Sequence, residues 1–104
     1  MPRKKLESEF VREVFEPELK RRFPGGYFLK QDPNMRQGIP DRLFLWEDKW
    51  ASFETKRATD SQKEMNQEFY VERMNEMSFS AFVTPENYEE VLADLECAWL
   101  GVCK

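Results

Sequence analysis

The sequence predicts a single α/β domain, with a mixed β-sheet flanked by helices in the order αβββαβα. Three observations carry that expectation. The chain has 104 residues, within the range of one domain and too short for two. Hydrophobic residues make up 40% and charged residues 35%, which suits a globular protein rather than a disordered or membrane-embedded one. Segments of helical period alternate with short strand-like runs in a pattern that builds one sheet with helices against it.

Residues 5 to 22 read as the first helix, with Leu6, Phe10, Val11, Val14 and Phe15 forming an apolar stripe. Pro17 is expected to kink it or to open a second short helix, since proline fits a first turn and not an interior. Phe23-Pro24-Gly25-Gly26 stops the helix, Tyr27 to Lys30 has strand composition, and Asp32-Pro33-Asn34 through Gly38 reads as a polar loop. Asp41 to Trp46 and Trp50 to Lys56 read as the two arms of a hairpin. A long helix follows over residues 60 to 77, chiefly Gln62 through Met77, and then a strand from Phe79 to Val83. Thr84 as N-cap and Pro85 at the first helical position open a last helix running to about Ala98. Met65, Phe69, Met74 and Met77 are expected to pack in the core. Trp46 and Trp50 flank the hairpin tip, where they could stack together or form a subunit contact.

Composition excludes several kinds of chemistry. There is no histidine, which removes Cys/His zinc sites and Ser-His or Cys-His catalysis. A metal would have to be held mainly by oxygen, favouring Mg²⁺, Mn²⁺ or Ca²⁺. The basic start Met1-Pro2-Arg3-Lys4-Lys5 is not followed by an apolar segment, so a secretory signal is not expected, no segment is long enough to span a membrane, and the cytoplasm is the expected compartment. Cys97 and Cys103 are accordingly expected to be free thiols.

The net charge of −4 argues against a polyanionic partner, but its distribution does not. Residues 1 to 57 hold 13 Lys and Arg against 10 Asp and Glu, whereas residues 58 to 104 hold 3 against 10. A polyanion needs a local positive surface rather than a positive total.

The chemistry-bearing residues lie on the hairpin. Side chains two apart on a strand share a face, so Glu54 accompanies Lys56, and Asp41 accompanies Leu43 and Leu45. A four-residue loop, Trp46 to Lys49, pairs Leu45 with Trp50, Leu43 with Ser52 and Asp41 with Glu54. A three-residue loop would set Arg42 opposite Glu54 instead, but it wants a glycine that the segment lacks. Two carboxylates about 5 Å apart could share a divalent cation, which would lower the pKa of a bound water and counter charge on a phosphoryl oxygen, with Lys56 adding positive charge beside it. Spacing alone is equally compatible with an Asp–Lys or Glu–Lys ion pair at a sheet edge.

Gly38-Ile39-Pro40-Asp41 followed by Trp50-Ala51-Ser52-Phe53-Glu54-Thr55-Lys56 resembles the PD-(D/E)XK nuclease superfamily, and within it the VRR-NUC group, which includes small stand-alone bacteriophage proteins. The likeness extends through Gln67-Glu68-Phe69-Tyr70 and Met77-Ser78-Phe79, from about residue 7 to residue 95. It implies a restriction-endonuclease-like core and a DNA endonuclease that requires Mg²⁺ or Mn²⁺, acts on branched DNA such as four-way junctions, and works as a homodimer. It also implies that Asp41 and Glu54 ligate the metal together with the backbone carbonyl of Thr55, and that Lys56 is the catalytic lysine. The family's supporting glutamine has two candidates. Helical phase favours Gln67, on the stripe with Tyr70, Val71 and Met74, over Gln62. An acid from the first helix is implied as well; Glu7 lies within the apolar stripe and Glu9 off its centre, and both remain candidates, with Glu7 the choice. Lys30 matches a position near the family's site, and Arg36 and Arg42 are candidate phosphate contacts. Lys20-Arg21-Arg22 could touch a DNA backbone or simply complete a helix C-terminus. A nuclease-fold protein that binds DNA or a partner without cutting is the rival reading.

Overall fold

A computed structural model describes residues 7–32, 36–58, 62–63 and 65–103. The basic N-terminal run, Leu6, part of the predicted loop after Asp32 and the predicted start of the long helix at residue 60 lie outside the described residues.

The N-terminal arm is continuous but not uniform. It comprises α1 (Glu7–Phe10), a π-helical turn (Val11–Phe15) and α2 (Glu16–Arg22), with Pro17 in the first turn of α2. Proline cannot donate to the carbonyl four residues back and crowds it. The wide turn just upstream, closed by the Glu16 N–H on the Val11 carbonyl, absorbs the misfit in place of a break. Four side chains from this arm, Phe10, Val11, Phe15 and Leu19, are buried.

The sheet has the order β1 (Tyr27–Lys30), β2 (Arg42–Trp46), β3 (Lys49–Thr55), β4 (Ser80–Val83). The first three strands form an antiparallel meander, while β4 pairs parallel to β3. Parallel pairing needs a crossover, and α3 (Gln67–Met77) supplies it. The last helix is α4 (Tyr88–Leu100). This is an α/β domain with a four-stranded mixed sheet and helices against it, in the predicted element order.

Alternation along β3 assigns the two faces. Ala51 and Phe53 point to the main core, where Phe53 meets Phe15 edge to face at 5.0 Å and Phe23, Phe44, Val83, Leu92 and Leu95 complete the packing. Ser52 and Glu54 point to the other face, which α3 covers: the Ser52 hydroxyl meets Ser80 at 2.7 Å and Met74 Sδ at 3.8 Å, and Gln67 meets Glu54. Burial on both faces explains why the last five residues of β3 are all buried.

Five expectations need correction. The hairpin closes with two residues rather than four: Trp46 pairs with Lys49, and Glu47 adopts φ +55° without a glycine. Leu45 still faces Trp50 and Leu43 faces Ser52, but the ladder ends at Arg42 opposite Phe53, so the expected pair of Asp41 with Glu54 is not part of it. The long helix begins at Gln67, because Asn66 takes φ +71° and residues before it cannot continue a right-handed helix. Met65, Phe69 and Met77 are exposed rather than core residues. Thr84 does not cap a helix at Pro85; its hydroxyl accepts from the Glu86 and Asn87 N–H groups in a turn, and α4 starts at Tyr88. Trp46 and Trp50 do not stack, because the register sends them to opposite faces; Trp46 packs on Trp99 with rings nearly parallel at 5.8 Å and donates to the Pro24 carbonyl.

The cysteines differ from expectation too. Cys97 and Cys103 form a disulfide across the end of α4, where Gly101 reverses the chain with φ +73° and brings their Cα atoms to 4.5 Å. Among the described residues no helix is long and apolar enough to cross a membrane.

Candidate active site: an acid, lysine and glutamine cleft at the end of β3

A cleft of about 300 Å³ opens where β2 begins and β3 ends. Its lining includes Glu7 from α1, Asp41 from the bend before β2, Glu54 and Lys56 from the end of β3, and Gln67 from the start of α3, together with Lys30 and Arg36. These side chains come from both faces of the sheet, because the cleft straddles its end. They form two groups.

The first group gathers at Thr55. Asp41 is not the first residue of β2 but the bend preceding it, so its side chain is free to turn along the sheet edge. Its Oδ1 accepts the Thr55 N–H at 2.9 Å, and its Oδ2 lies 2.7 Å from the Thr55 hydroxyl. The register explains the first contact. The N–H groups of Ser52 and Lys56 point to the β4 side, so that of Thr55 points to the β2 side. There the chain has turned away at Pro40, and the carboxylate of Asp41 replaces the missing ladder acceptor. By the same alternation the Thr55 carbonyl faces the β2 side, where Pro40 has no N–H to offer.

Glu7 completes this group, its Oε1 2.9 Å from the same Thr55 hydroxyl. A hydroxyl has one hydrogen to give. Two carboxylate oxygens therefore crowd one donor, an arrangement that a shared proton or a cation relieves. Arg42 adds a positive charge, its Nη1 3.2 Å from Asp41 Oδ2.

The second group centres on Glu54, which is buried. Gln67 Nε2 donates to Glu54 Oε2 at 3.1 Å, and Lys56 Nζ lies 3.8 Å from the same oxygen. Lys56 Nζ also donates to the Gln62 carbonyl at 3.4 Å. Of the two candidate glutamines, then, Gln67 presents its side chain to Glu54 from a buried position, while Gln62 presents a backbone oxygen to Lys56.

The mouth is shaped by backbone. Gly38 sits at φ +90° on the cleft wall, and a Cβ there would fall 2.7 Å from the Asn66 carbonyl carbon and 2.8 Å from the Met65 carbonyl oxygen. The loop before β2 and the turn before α3 thus touch main chain to main chain.

The predicted phosphate contacts divide. Lys30 and Arg36 line the cleft; Arg36 is exposed, with Nη1 3.4 Å from the Tyr70 hydroxyl. Arg42 lies beside the cleft rather than in it, turned to Asp41. Lys20, Arg21 and Arg22 are all in ion pairs: Lys20 with Glu16, Arg21 with Glu18, and Arg22 with both Glu18 and Glu96 of α4. These pairs hold the Glu18 carboxyl down to about 2, chiefly through Arg21 and then Arg22.

Sequence reasoning assigned Thr55 a role through its carbonyl and missed its hydroxyl. Strand parity puts that side chain on the core face, so only the position of Asp41 at a strand's edge, next to a proline, hinted that the two would meet.

The fold and cleft together define an α/β domain with an oxygen-rich, lysine-bearing site at a sheet end. No family model, no curated protein and no solved structure matches the chain. An all-oxygen donor set suits a hard divalent cation, and the crowded Thr55 hydroxyl and the Thr55 carbonyl fit one. Among the described residues, however, no group of three or more acidic or thiol side chains is arranged to hold a metal ion. Any ion would draw on backbone and water oxygens as well.

Proposed function

We propose that this protein is a metal-dependent DNA endonuclease with a restriction-endonuclease-like core, hydrolysing phosphodiester bonds and acting on branched DNA. One observation carries the reading: Glu7, Asp41, Glu54, Lys56 and Gln67, drawn from elements far apart in sequence, all line a single cleft. Asp41, Glu54 and the Thr55 carbonyl would hold Mg²⁺ or Mn²⁺. When bound, such an ion supplies Lewis acidity toward water and toward a phosphoryl oxygen. The chain's own groups do the rest. Thr55 fixes Asp41 through two hydrogen bonds, Gln67 fixes Glu54, and Lys56 offsets negative charge on the phosphate being attacked. Lys30 and Arg36 bind the phosphates on either side. One cleft per domain cuts one strand, so cleaving both favours a two-fold homodimer.

The test is incubation with linear, nicked and four-way-junction DNA in Mg²⁺, Mn²⁺ or EDTA, alongside Lys56→Ala. Cutting that needs the metal and disappears in the variant is expected. Cutting that persists in EDTA or in Lys56→Ala overturns the reading.

A second reading has one observation in its favour. The absence of a three-acid group among the described residues suits a catalytically silent protein that binds DNA or a partner, with Glu54 and Lys56 as an ion pair. That protein would bind the same DNA and leave every substrate intact.

A further inference from the structure

A second groove, of about 210 Å³, adjoins the cleft and shares Lys30 with it. Its walls carry Ser8 and Arg12 from the N-terminal arm and Phe28, Lys30 and Arg42 from β1 and β2. Three cations and a hydroxyl therefore face one depression. The acid in its lining, Glu16, already pairs with Lys20 at 2.9 Å. Arg42 is held by Asp41, but no hydrogen bond or ion pair among the described residues engages the side chains of Arg12 or Lys30. Arg12 lies within the π-helical turn, the one segment of the arm whose wider winding departs from the regular α-helical positions.

We propose that this groove is a second phosphate subsite, which takes a backbone phosphate of the DNA strand as it leaves the cleft past Lys30. The inference rests on the reading of the cleft as a phosphodiester site and extends it. The substrate is a continuous polynucleotide gripped at two places, not a phosphomonoester or a mononucleotide. Arg12 supplies the charge at the far wall, Lys30 marks the junction of the two depressions, and Ser8 offers a neutral donor. A chain of net charge −4 thereby presents a run of cations, Arg12, Arg42, Lys30, Arg36 and Lys56, along two connected grooves.

Binding measured in EDTA separates this proposal from the catalytic one. Fluorescence anisotropy of a labelled DNA duplex, titrated over a series of salt concentrations, reports how many phosphate contacts are made. Each phosphate neutralised contributes about 0.9 to the slope of log K against log salt. Arg12→Ala is expected to weaken binding and to lower that slope by about 0.9, whereas Arg12→Lys should keep it. Arg73→Ala, which removes an arginine paired with Glu76 on α3, should change neither. A slope unaltered in Arg12→Ala overturns the proposal, as does a parent protein that shows no salt-dependent binding. Far-ultraviolet circular dichroism checks that the variants fold. A parent protein that shows this Arg12-dependent slope in EDTA yet cuts no DNA in Mg²⁺ or Mn²⁺ would count against the nuclease reading and leave the groove assignment standing.

Discussion

The side-chain amide of Gln67 donates to the carboxylate of Glu54 at 3.1 Å, joining the first residue of α3 to the penultimate residue of β3 where both are buried. Removing a partner from a buried, charge-assisted hydrogen bond costs about 1–3 kcal/mol. Gln67→Ala is expected to lower the unfolding free energy by about that amount in a urea titration, and Gln62→Ala to change it by less than about 0.5 kcal/mol. Equal effects would mean that the contact contributes nothing to stability.

Asp41 has a structural task separable from any chemical one. Its carboxylate accepts the buried Thr55 N–H, so Asp41→Ala leaves that donor without its acceptor and should cost about 1–3 kcal/mol. Asp41→Asn keeps an oxygen for the N–H and removes the charge. It should retain most of the stability yet lose metal-dependent cleavage. Denaturation and cleavage assays on both variants check the split, which fails if Asp41→Asn cuts DNA as well as the parent does.

Glu18 gives the fold an acid-side signature. Its carboxyl titrates at about 2 in the folded chain against an ordinary value of 4.5, because Arg21 and Arg22 favour the ionised form. A carboxyl whose folded value is depressed stabilises the native state above its unfolded value, and that contribution is lost as pH falls through the folded one. The parent should therefore be more stable than Glu18→Gln at pH 7, by about 1 kcal/mol or less for pairs this exposed. The gap should close between pH 4.5 and 2. Melting temperatures of the two proteins across that window test this, and a gap independent of pH would refute it.

The disulfide leads to a chemical prediction. Without reductant, denatured protein should show no thiol reactive toward Ellman's reagent, and after reduction it should show two. Closing so short a loop is worth about 2 kcal/mol in the chain-entropy account, so reduction should lower stability by no more than roughly that amount. Two free thiols before reduction would show that the pair does not form.

Much of this architecture was legible because it follows from period and parity. Alternation alone placed Glu54 and Lys56 on one face of β3, and the pairing of Leu45 with Trp50 survived an error in the loop length, since a two-residue and a four-residue closure share that register. Helical phase set Gln67 on the sheet-facing side of α3, where it is buried, but its argument against Gln62 did not apply, since Gln62 lies outside the helix. What escaped were features set by tertiary context. Asn66 sets the start of α3 through a backbone angle that no periodicity signals. Trp46 is turned to the core by Trp99, a partner more than fifty residues away. The cysteines meet because Gly101 folds the chain back, whereas compartment arguments favoured thiols. Asp41 was expected to lie flat beside Glu54, but its position at the strand's end lets it serve Thr55 instead.

Gly38 has a wider consequence. The rim between the loop and the turn before α3 is gauged at Gly38 by the main chain of Met65 and Asn66 and by the Asn66 Cβ, atoms that almost any residue at those positions would carry. Substitutions nearby can recolour the lip of the cavity, altering its charge or greasiness, without resizing the doorway. A side chain at Gly38 itself would wedge the two segments apart, so the width of the mouth is set there by backbone and its chemistry by the side chains around it.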